Sequence, residues 1–296
     1  MKRMRFVSAL CLLAVMLAGC VDQHPERQTG NTAEETRIVA TSVAACEILE
    51  QLGIESEKVV GVPSTTAYTV PEIYQGAEEV GSPMAPDMEI VSSLNPTIIL
   101  SPNSLQGDLE TQYDNAGLNS AFLNLKSMVG MYKSIQELGE LFGKEERAQE
   151  LTDEFLAYME EYESADREGE APRVLILMGL PGSYVVATES SYAGSLVKLA
   201  GGINIYGDGD GTDFLNVNAE DMLQRDPDII LRTSHAMPEQ VMAMFRDEFA
   251  DNDIWQHFRA VQEGKVYDLD NNKFGMSANF RYKEALEELK PMLYGG

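Results

Sequence analysis

The chain has 296 residues, of which 44% are hydrophobic and 24% are charged. It is long and apolar enough to bury sizeable cores, and its length favours two lobes over one. Its 22 lysine and arginine residues are outnumbered by 48 aspartate and glutamate residues, which gives a formal net charge of -26. Because nucleic acids are bound through basic surfaces, this composition excludes a nucleic-acid-binding protein.

The N-terminus has the pattern of a cleaved export signal. Three basic residues precede an apolar run, Phe6–Met16, and Leu17-Ala18-Gly19 directly precedes Cys20. The pattern predicts a lipoprotein signal peptide over residues 1–19, and a cysteine after Leu-Ala-Gly is typical of a bacterial lipobox. We therefore expect Cys20 to carry the lipid anchor, since two acyl chains hold a protein stably on a membrane. Residues 20–36 are polar and aperiodic, which predicts a flexible tether.

The pattern of the segment after the tether predicts the first strand of a parallel sheet and the helix that follows it. Arg37–Ala40 is a short apolar run, and Ala44–Gly53 has an amphipathic pattern that ends in glycine. Thr41-Ser42-Val43-Ala44 connects the two, and the backbone amides at a helix start form an anion site without any basic side chain. We expect Cys46 to be a buried free thiol on this helix.

A repeat relates the two halves of the chain. Residues 87–100 align with residues 218–231: in both, a glutamate (Glu89 or Glu220) precedes a short helix, a proline ends it, and Ile-Ile-Leu begins a strand. Another apolar run, Arg173–Met178, is followed by an amphipathic segment as in the first half. Short apolar strands that alternate with helices predict an α/β fold with parallel sheets.

Apolar residues at helical spacing predict a helical bridge over residues 131–165. Gly143 is expected to separate two helices, the second of which continues to about Glu163. The predicted fold class is therefore α/β, with two Rossmann-like lobes, residues 37–130 and 166–296, joined by a long bridging helix. We expect the ligand crevice between the lobes, at the carboxyl ends of the strands.

Two side chains lie where a ligand of this crevice is expected. His235 comes directly after the predicted strand Ile229–Leu231, and Met84 lies in a loop between two prolines. Position alone leaves open whether His235 is a ligand or a hydrogen-bonded loop histidine, and whether Met84 is a ligand or apolar filler. His257, beside the single tryptophan, is expected to be a packed structural imidazole.

One enzyme class has a partial motif in the chain. Ser195 and Lys198 form an SxxK pair, and Ser277-Ala278-Asn279 is an SxN, as in penicillin-binding serine enzymes. The KTG element of those enzymes is absent from the sequence. A serine acyl-enzyme is therefore an alternative, but we expect that the protein is not an enzyme.

With these residues the sequence resembles the haem-receptor lipoproteins of ABC importers, in particular those of the iron-regulated surface determinant system. The resemblance runs over nearly all of the chain after the tether and is densest in Gly81–Met84, Val174–Tyr184, His235–Glu239 and Asn252–Trp255. It implies the helix-bridged fold described above and a lipid-anchored monomer on the extracytoplasmic face of a Gram-positive cell membrane. Its function would be to receive haem from a donor protein on the cell surface and deliver it to an ABC permease and its ATPase.

The resemblance also implies the residues that hold the cargo and the transporter. In this family a methionine of the first lobe and a histidine of the second hold the iron of haem b, and these roles fall on Met84 and His235. Such a pair is a recognised axial ligand set. Matching glutamates of the family pair with permease arginines, and these roles fall on Glu89 and Glu220.

The resemblance further places the two haem propionates at the start of the first helix and on a neighbouring loop. The residues concerned are Ser42, Val43, Ala44, Thr65 and Thr66. Beside that loop this sequence has Ala67-Tyr68, where members of the family carry a basic residue.

Two other functions remain alternatives. A ferric-siderophore or corrinoid receptor on the same fold would need arginines or aromatic residues in the crevice. A haem electron-transfer protein with Met/His ligation would have an exposed haem edge and no permease partner. A Soret band in protein purified from cells would support the haem receptor or the electron-transfer protein only.

Overall fold

The computed structural model describes residues 36–66, 68–164 and 169–295. The predicted signal peptide, Cys20 and all but the last residue of the predicted tether lie outside the described residues. Within the described ranges no helix is both long and apolar enough to cross a membrane. The architecture of the described residues is α/β, with two large sheets that are built from successive parts of the chain and one separate two-stranded hairpin.

The described residues before α4 (Met128–Phe142) include seven strands and three α-helices. The strands are β1 (Ile38–Ala40), β2 (Val59–Val62), β3 (Glu78–Glu79), β4 (Gly81–Ser82), β5 (Ala85–Pro86), β6 (Ile98–Pro102) and β7 (Ser120–Leu123). The helices are α1 (Val43–Gln51), α2 (Met88–Ser93) and α3 (Gln106–Asn115). Five strands pair in the order β3-β2-β1-β6-β7, all parallel, whereas β4 and β5 form a separate hairpin.

The second sheet is mixed, although the sequence pattern predicts parallel strands. Its strands are β8 (Arg173–Leu180), β9 (Ser183–Ala187), β10 (Ile203–Asn204), β11 (Phe214–Leu215), β12 (Ile229–Ser234) and β13 (Val266–Asp268). β8, β10, β12 and β13 pair in parallel, as predicted. β9 pairs antiparallel with β8 and with β11. Only Pro181 and Gly182 separate β8 from β9, and a parallel connection needs a much longer crossover.

Eight further helices complete the described chain. They are α4 (Met128–Phe142), α5 (Glu145–Ser164), α6 (Tyr192–Leu199), α7 (Ala219–Gln224), α8 (Pro238–Asp251), α9 (Arg259–Gln262), α10 (Asn271–Phe274) and α11 (Tyr282–Tyr294). Short 3-10 helices cover Ser56–Lys58, Glu72–Tyr74, Asn103–Leu105, Gly209–Gly211 and Asp253–His257. Helices follow strands along both sheets, and this order accounts for the parallel pairings.

The two consecutive helices α4 and α5 lie between the sheets in sequence, as the apolar spacing predicts. α4 begins three residues before the predicted boundary, because Ser127 Oγ accepts a hydrogen bond from the Gly130 amide at 3.1 Å and caps the helix. Gly143 ends α4 in a left-handed conformation, with φ of 67°, which glycine adopts at little cost. The predicted break between the helices is therefore present at this residue.

The helices α4 and α5 pack against the parts of the chain before and after them. Arg147 Nε donates to the Gln51 carbonyl at the end of α1 at 3.0 Å. The Phe155 ring of α5 stacks on Tyr132 of α4, with ring centroids 4.3 Å apart, and meets Tyr282 of α11 edge-on at 5.5 Å. The largest buried apolar cluster contains residues of both sheets, α4, α5 and α11. A connection that shares one core with both sheets is stiff.

Candidate functional site

His235 lies at the carboxyl end of the second sheet. The sequence predicts a strand over Ile229–Leu231, but β12 continues to Ser234 because it pairs with β8 along its whole length. The His235 amide extends this ladder by donating to the Gly179 carbonyl at 3.0 Å. His235 is therefore the first residue after a strand that lies inside the sheet, as predicted.

The His235 side chain is half-buried, and burial lowers the pKa of its imidazole. Its Nδ1 atom is buried without a hydrogen-bond partner among the described residues. A histidine with a lowered pKa is neutral at pH 7, and a neutral imidazole offers a nitrogen lone pair to a metal. The chain then turns sharply through Met237, which has a positive φ of 48°, into α8, and Pro238 is the first residue of that helix.

Met84 lies at the tip of the β4–β5 hairpin. Pro83 and Met84 form its two-residue turn, and the Met84 side chain is 65% exposed. Gly81 at the base of the hairpin has φ of 92°, and a Cβ there would lie 3.0 Å from the Asp87 amide nitrogen. Any other residue would be strained at that position. The hairpin thus holds a thioether out from the first sheet rather than in a core, which favours the ligand interpretation over apolar filler.

The start of α1 has the geometry that the sequence predicts. Ser42 is its N-cap, and the Ser42 hydroxyl accepts a hydrogen bond from the Ala45 amide at 3.2 Å. The amides of Val43 and Ala44 are too early in the helix to have a carbonyl partner within it. Ser42 and Val43 are buried and Ala44 is half-buried. An anion at this helix start would therefore meet these backbone amides, and the Ser42 hydroxyl still has its own proton to donate.

The loop after β2 reaches the segment that carries His235. Thr65 is half-buried and Thr66 is exposed, while Ala67 lies outside the described residues. The Tyr68 hydroxyl lies 3.5 Å from the His235 carbonyl oxygen and 3.5 Å from that of Asn271. The structure therefore brings the predicted propionate loop and the predicted iron ligand together. Sequence reasoning gave Tyr68 no role, although the replacement of a basic residue by Ala67-Tyr68 had marked this loop as unusual.

Glu89 and Glu220 occupy equivalent positions in the two parts of the chain. Each is exposed and is the second residue of a six-residue helix, α2 or α7. The repeat extends to the backbone after these helices: Asn95 and Asp226, each followed by a proline, have positive φ of 46° and 44°. The predicted equivalence of the two glutamates is thus present in the structure.

The structure contradicts the prediction for His257. This residue is exposed at the end of the 3-10 helix Asp253–His257 and is not a packed imidazole. Trp255 takes the buried position instead, with its ring stacked 4.2 Å from Phe249 and 4.7 Å from Phe258. Residues two apart lie on different sides of a 3-10 helix with three residues per turn, so His257 faces solvent.

The partial enzyme motif is not assembled. The Ser195 hydroxyl donates to the Tyr192 carbonyl at 2.7 Å. The Lys198 ammonium pairs with Glu189 at 2.8 Å on the surface. An acyl-enzyme of this class needs the lysine near the serine hydroxyl, and here each group is engaged elsewhere.

Two other observations concern metal ligands. Cys46 is buried on α1 as a free thiol, as predicted, and burial raises its pKa. Such a thiol is a poor metal ligand, because the thiolate is the binding form. In the part of the chain that the structure describes, no group of three or more histidine, cysteine or acidic residues could hold a metal ion.

Comparison with known proteins covers almost the whole chain. The family model described as periplasmic binding protein matches residues 38–273. The protein described as "High-affinity heme uptake system protein IsdE" of Staphylococcus aureus (strain Newman) is 39% identical over 295 residues, 99% of each chain.

Solved structures agree with this match. The crystal structure of Staphylococcus aureus IsdE complexed with heme has a TM-score of 0.82 and 40% identity, and the match covers 88% of this chain and 99% of that one. An ABC transporter substrate-binding protein from Listeria monocytogenes EGD-e has a TM-score of 0.81 and 43% identity, over 89% of this chain and 100% of that one. This chain therefore shares its fold with these two proteins, and the match covers almost the full length of each of the two solved structures.

Proposed function

The chain belongs to the periplasmic binding protein family, and we propose that it is an extracytoplasmic receptor that binds haem and delivers it to an ABC permease. The family consists of substrate-binding transport proteins rather than enzymes. The observation that carries the proposal is His235: a half-buried imidazole with a lowered pKa at the carboxyl end of the second sheet. It occurs in a chain 39% identical to a haem uptake protein.

In this proposal His235 and Met84 are the two axial ligands of the haem iron. The porphyrin leaves two axial positions free, and a histidine with a methionine is one of the recognised pairs. His235 would bind as the neutral imidazole that its burial favours. Met84, exposed at the tip of the β4–β5 hairpin, would supply the thioether from the first part of the chain. Residues 37–130 and 166–296 would form the two lobes, with 131–165 as the bridge.

The two propionates would be held by backbone amides rather than by cations. The chain has a net charge of -26, so two further carboxylates need local compensation. The N-terminal amides of α1, from Ser42 to Ala44, carry the positive end of the helix dipole and can accept an anion. The hydroxyls of Thr65 and Thr66 would add hydrogen bonds.

Three further residues would connect the receptor to the cell. Cys20 would carry the lipid anchor that keeps the monomer on the outer face of the membrane. Glu89 and Glu220, exposed on α2 and α7, would pair with arginines of the permease, which works with its ATPase. A haem-donating surface protein would supply the cargo.

The test is a titration of the mature chain, residues 20–296, with ferric haem. We expect one equivalent to bind and to give a Soret band distinct from that of free haem. The same protein is titrated with a ferric siderophore and with cobalamin. Saturable binding of either one, without haem binding, would refute the proposal in favour of the siderophore or corrinoid receptor.

A further inference from the structure

Tyr68 stands where two distant parts of the chain meet. It follows β2, yet its hydroxyl lies within 3.5 Å of two carbonyl oxygens that are 167 and 203 residues further along the chain. One carbonyl belongs to His235 and the other to Asn271, the first residue of α10. A phenol hydroxyl has one proton to donate, so it serves one of these carbonyls at a time.

The surroundings of Tyr68 are shaped to admit its hydroxyl. A Cβ at Gly275 would lie 2.6 Å from the Tyr68 hydroxyl oxygen, closer than real Cβ atoms approach. Gly275 has φ of -71°, which any residue adopts, so the backbone conformation does not require glycine there. The missing side chain leaves the space that the hydroxyl fills.

The segments that Tyr68 contacts contain buried polar atoms without partners among the described residues. Asn271 is 8% exposed, and its Nδ2 atom has no hydrogen-bond partner among the described residues. The same holds for the hydroxyl of Ser234, next to His235. The two Tyr68 contacts are long for hydrogen bonds between oxygen atoms, and an approach of about 0.7 Å would bring either one to the usual distance. A small closure around cargo would therefore strengthen them.

We propose that Tyr68 is a positioning residue for His235: its hydroxyl holds the His235 backbone and so fixes the imidazole against the first part of the chain. This inference rests on the proposed function, because it takes His235 as the iron ligand. Tyr68 acts through the carbonyl and not on the iron. Its loss should therefore speed haem release without changing the ligands of the iron.

The test compares Tyr68→Phe with the unaltered mature chain. The variant keeps the aromatic ring and loses the hydroxyl. Transfer of haem to excess apomyoglobin should be about 2- to 12-fold faster, the range spanned by one hydrogen bond, and the ferric haem spectrum should be unchanged. Tyr74→Phe is the matched control, because the Tyr74 hydroxyl donates to the Ile54 carbonyl at 2.7 Å within the first part of the chain. That variant should release haem at the original rate.

Gly275→Ala tests the same contact without altering Tyr68. Its new methyl group would displace the hydroxyl, so haem release should again be faster. The effect should be smaller in the Tyr68→Phe background, because that ring has no hydroxyl to displace. Such non-additivity is the signature of two residues acting through one contact.

A measurement without haem separates this inference from the proposed function. Backbone amides of residues 234–237 should exchange with solvent faster in Tyr68→Phe than in the original protein. If the chain binds no haem, the proposed function fails while this exchange still tests the contact. An unchanged rate of haem release in Tyr68→Phe would overturn the inference. A ferric spectrum that reports the loss of an oxygen ligand would also overturn it, since Tyr68 would then be a ligand itself.

Discussion

Acid release of haem is the sharpest consequence of the burial of His235. A protonated imidazole has no lone pair for iron, so protons and haem compete for the same nitrogen. The pKa that governs this competition is that of the free protein, where burial lowers it from the ordinary value of 6.5. Haem binding should therefore withstand mild acid and weaken only once the pH falls below that lowered pKa.

The expected size of the effect follows from the direction of the shift. At a pH equal to the pKa, half of the imidazole is neutral, so the apparent Kd doubles. Because the pKa lies below 6.5, the Kd should rise less than about twofold between pH 7.5 and 6.5. Below the pKa it should rise about tenfold for each further pH unit, equivalent to ~1.4 kcal/mol.

The assay is a haem titration at closely spaced pH values, followed by absorbance at the Soret band. Three variants serve as controls. Met84→Ala removes a group that does not titrate, and His257→Ala removes an exposed histidine; both should keep the original pH profile. His235→Ala should bind haem weakly, with no pH dependence in this range. The reasoning is refuted if His235→Ala keeps the original profile, or if the loss of affinity is centred above pH 6.5.

Three other predictions concern the second ligand, the transporter and the anchor. Met84→Ala should retain haem but give a five-coordinate or water-ligated spectrum, because imidazole binds iron more strongly than a thioether does. His257→Ala should leave the spectrum unchanged. A changed spectrum in His257→Ala with an unchanged one in Met84→Ala would contradict the ligand assignment. The double variant Glu89→Ala with Glu220→Ala should lose haem uptake by cells while its haem Kd stays the same, and continued uptake would disprove the docking role. Cys20→Ser should release the protein from the membrane into the medium with haem binding intact, as measured by cell fractionation, and retention on the membrane would show another anchor.

Local signals in the sequence determined much of the fold. The apolar run Arg37–Ala40 and the amphipathic segment Ala44–Gly53 predict a strand and a helix, and the structure has a strand over Ile38–Ala40 and a helix over Val43–Gln51. Gly143 breaks the bridging helices as predicted. The repeat around Glu89 and Glu220 predicts two equivalent short helices, and the structure has both. Each of these features leaves a local pattern of residue types in the sequence, so spacing alone reveals it.

The spacing of apolar residues predicted less well which strands pair antiparallel and which side chains are buried. The antiparallel pairing of β9 depends on the short Pro181-Gly182 turn, which the apolar pattern of the strands does not record. His257 and Trp255 lie in one polar-apolar segment, and periodicity did not show which of the two is buried. The packing of Trp255 between Phe249 and Phe258 decided this.

The candidate site also has features that the sequence predicted and features that only the tertiary structure shows. The sequence by itself placed His235 after a strand and Met84 in a loop, and the family resemblance implies the ligand roles that we propose for them. Only the tertiary structure brought Tyr68 to the His235 carbonyl, across 167 residues of chain, and left the space at Gly275 that its hydroxyl fills. No local pattern encodes such a contact, because it exists only when two separately built parts of the chain pack against each other and exclude water between them.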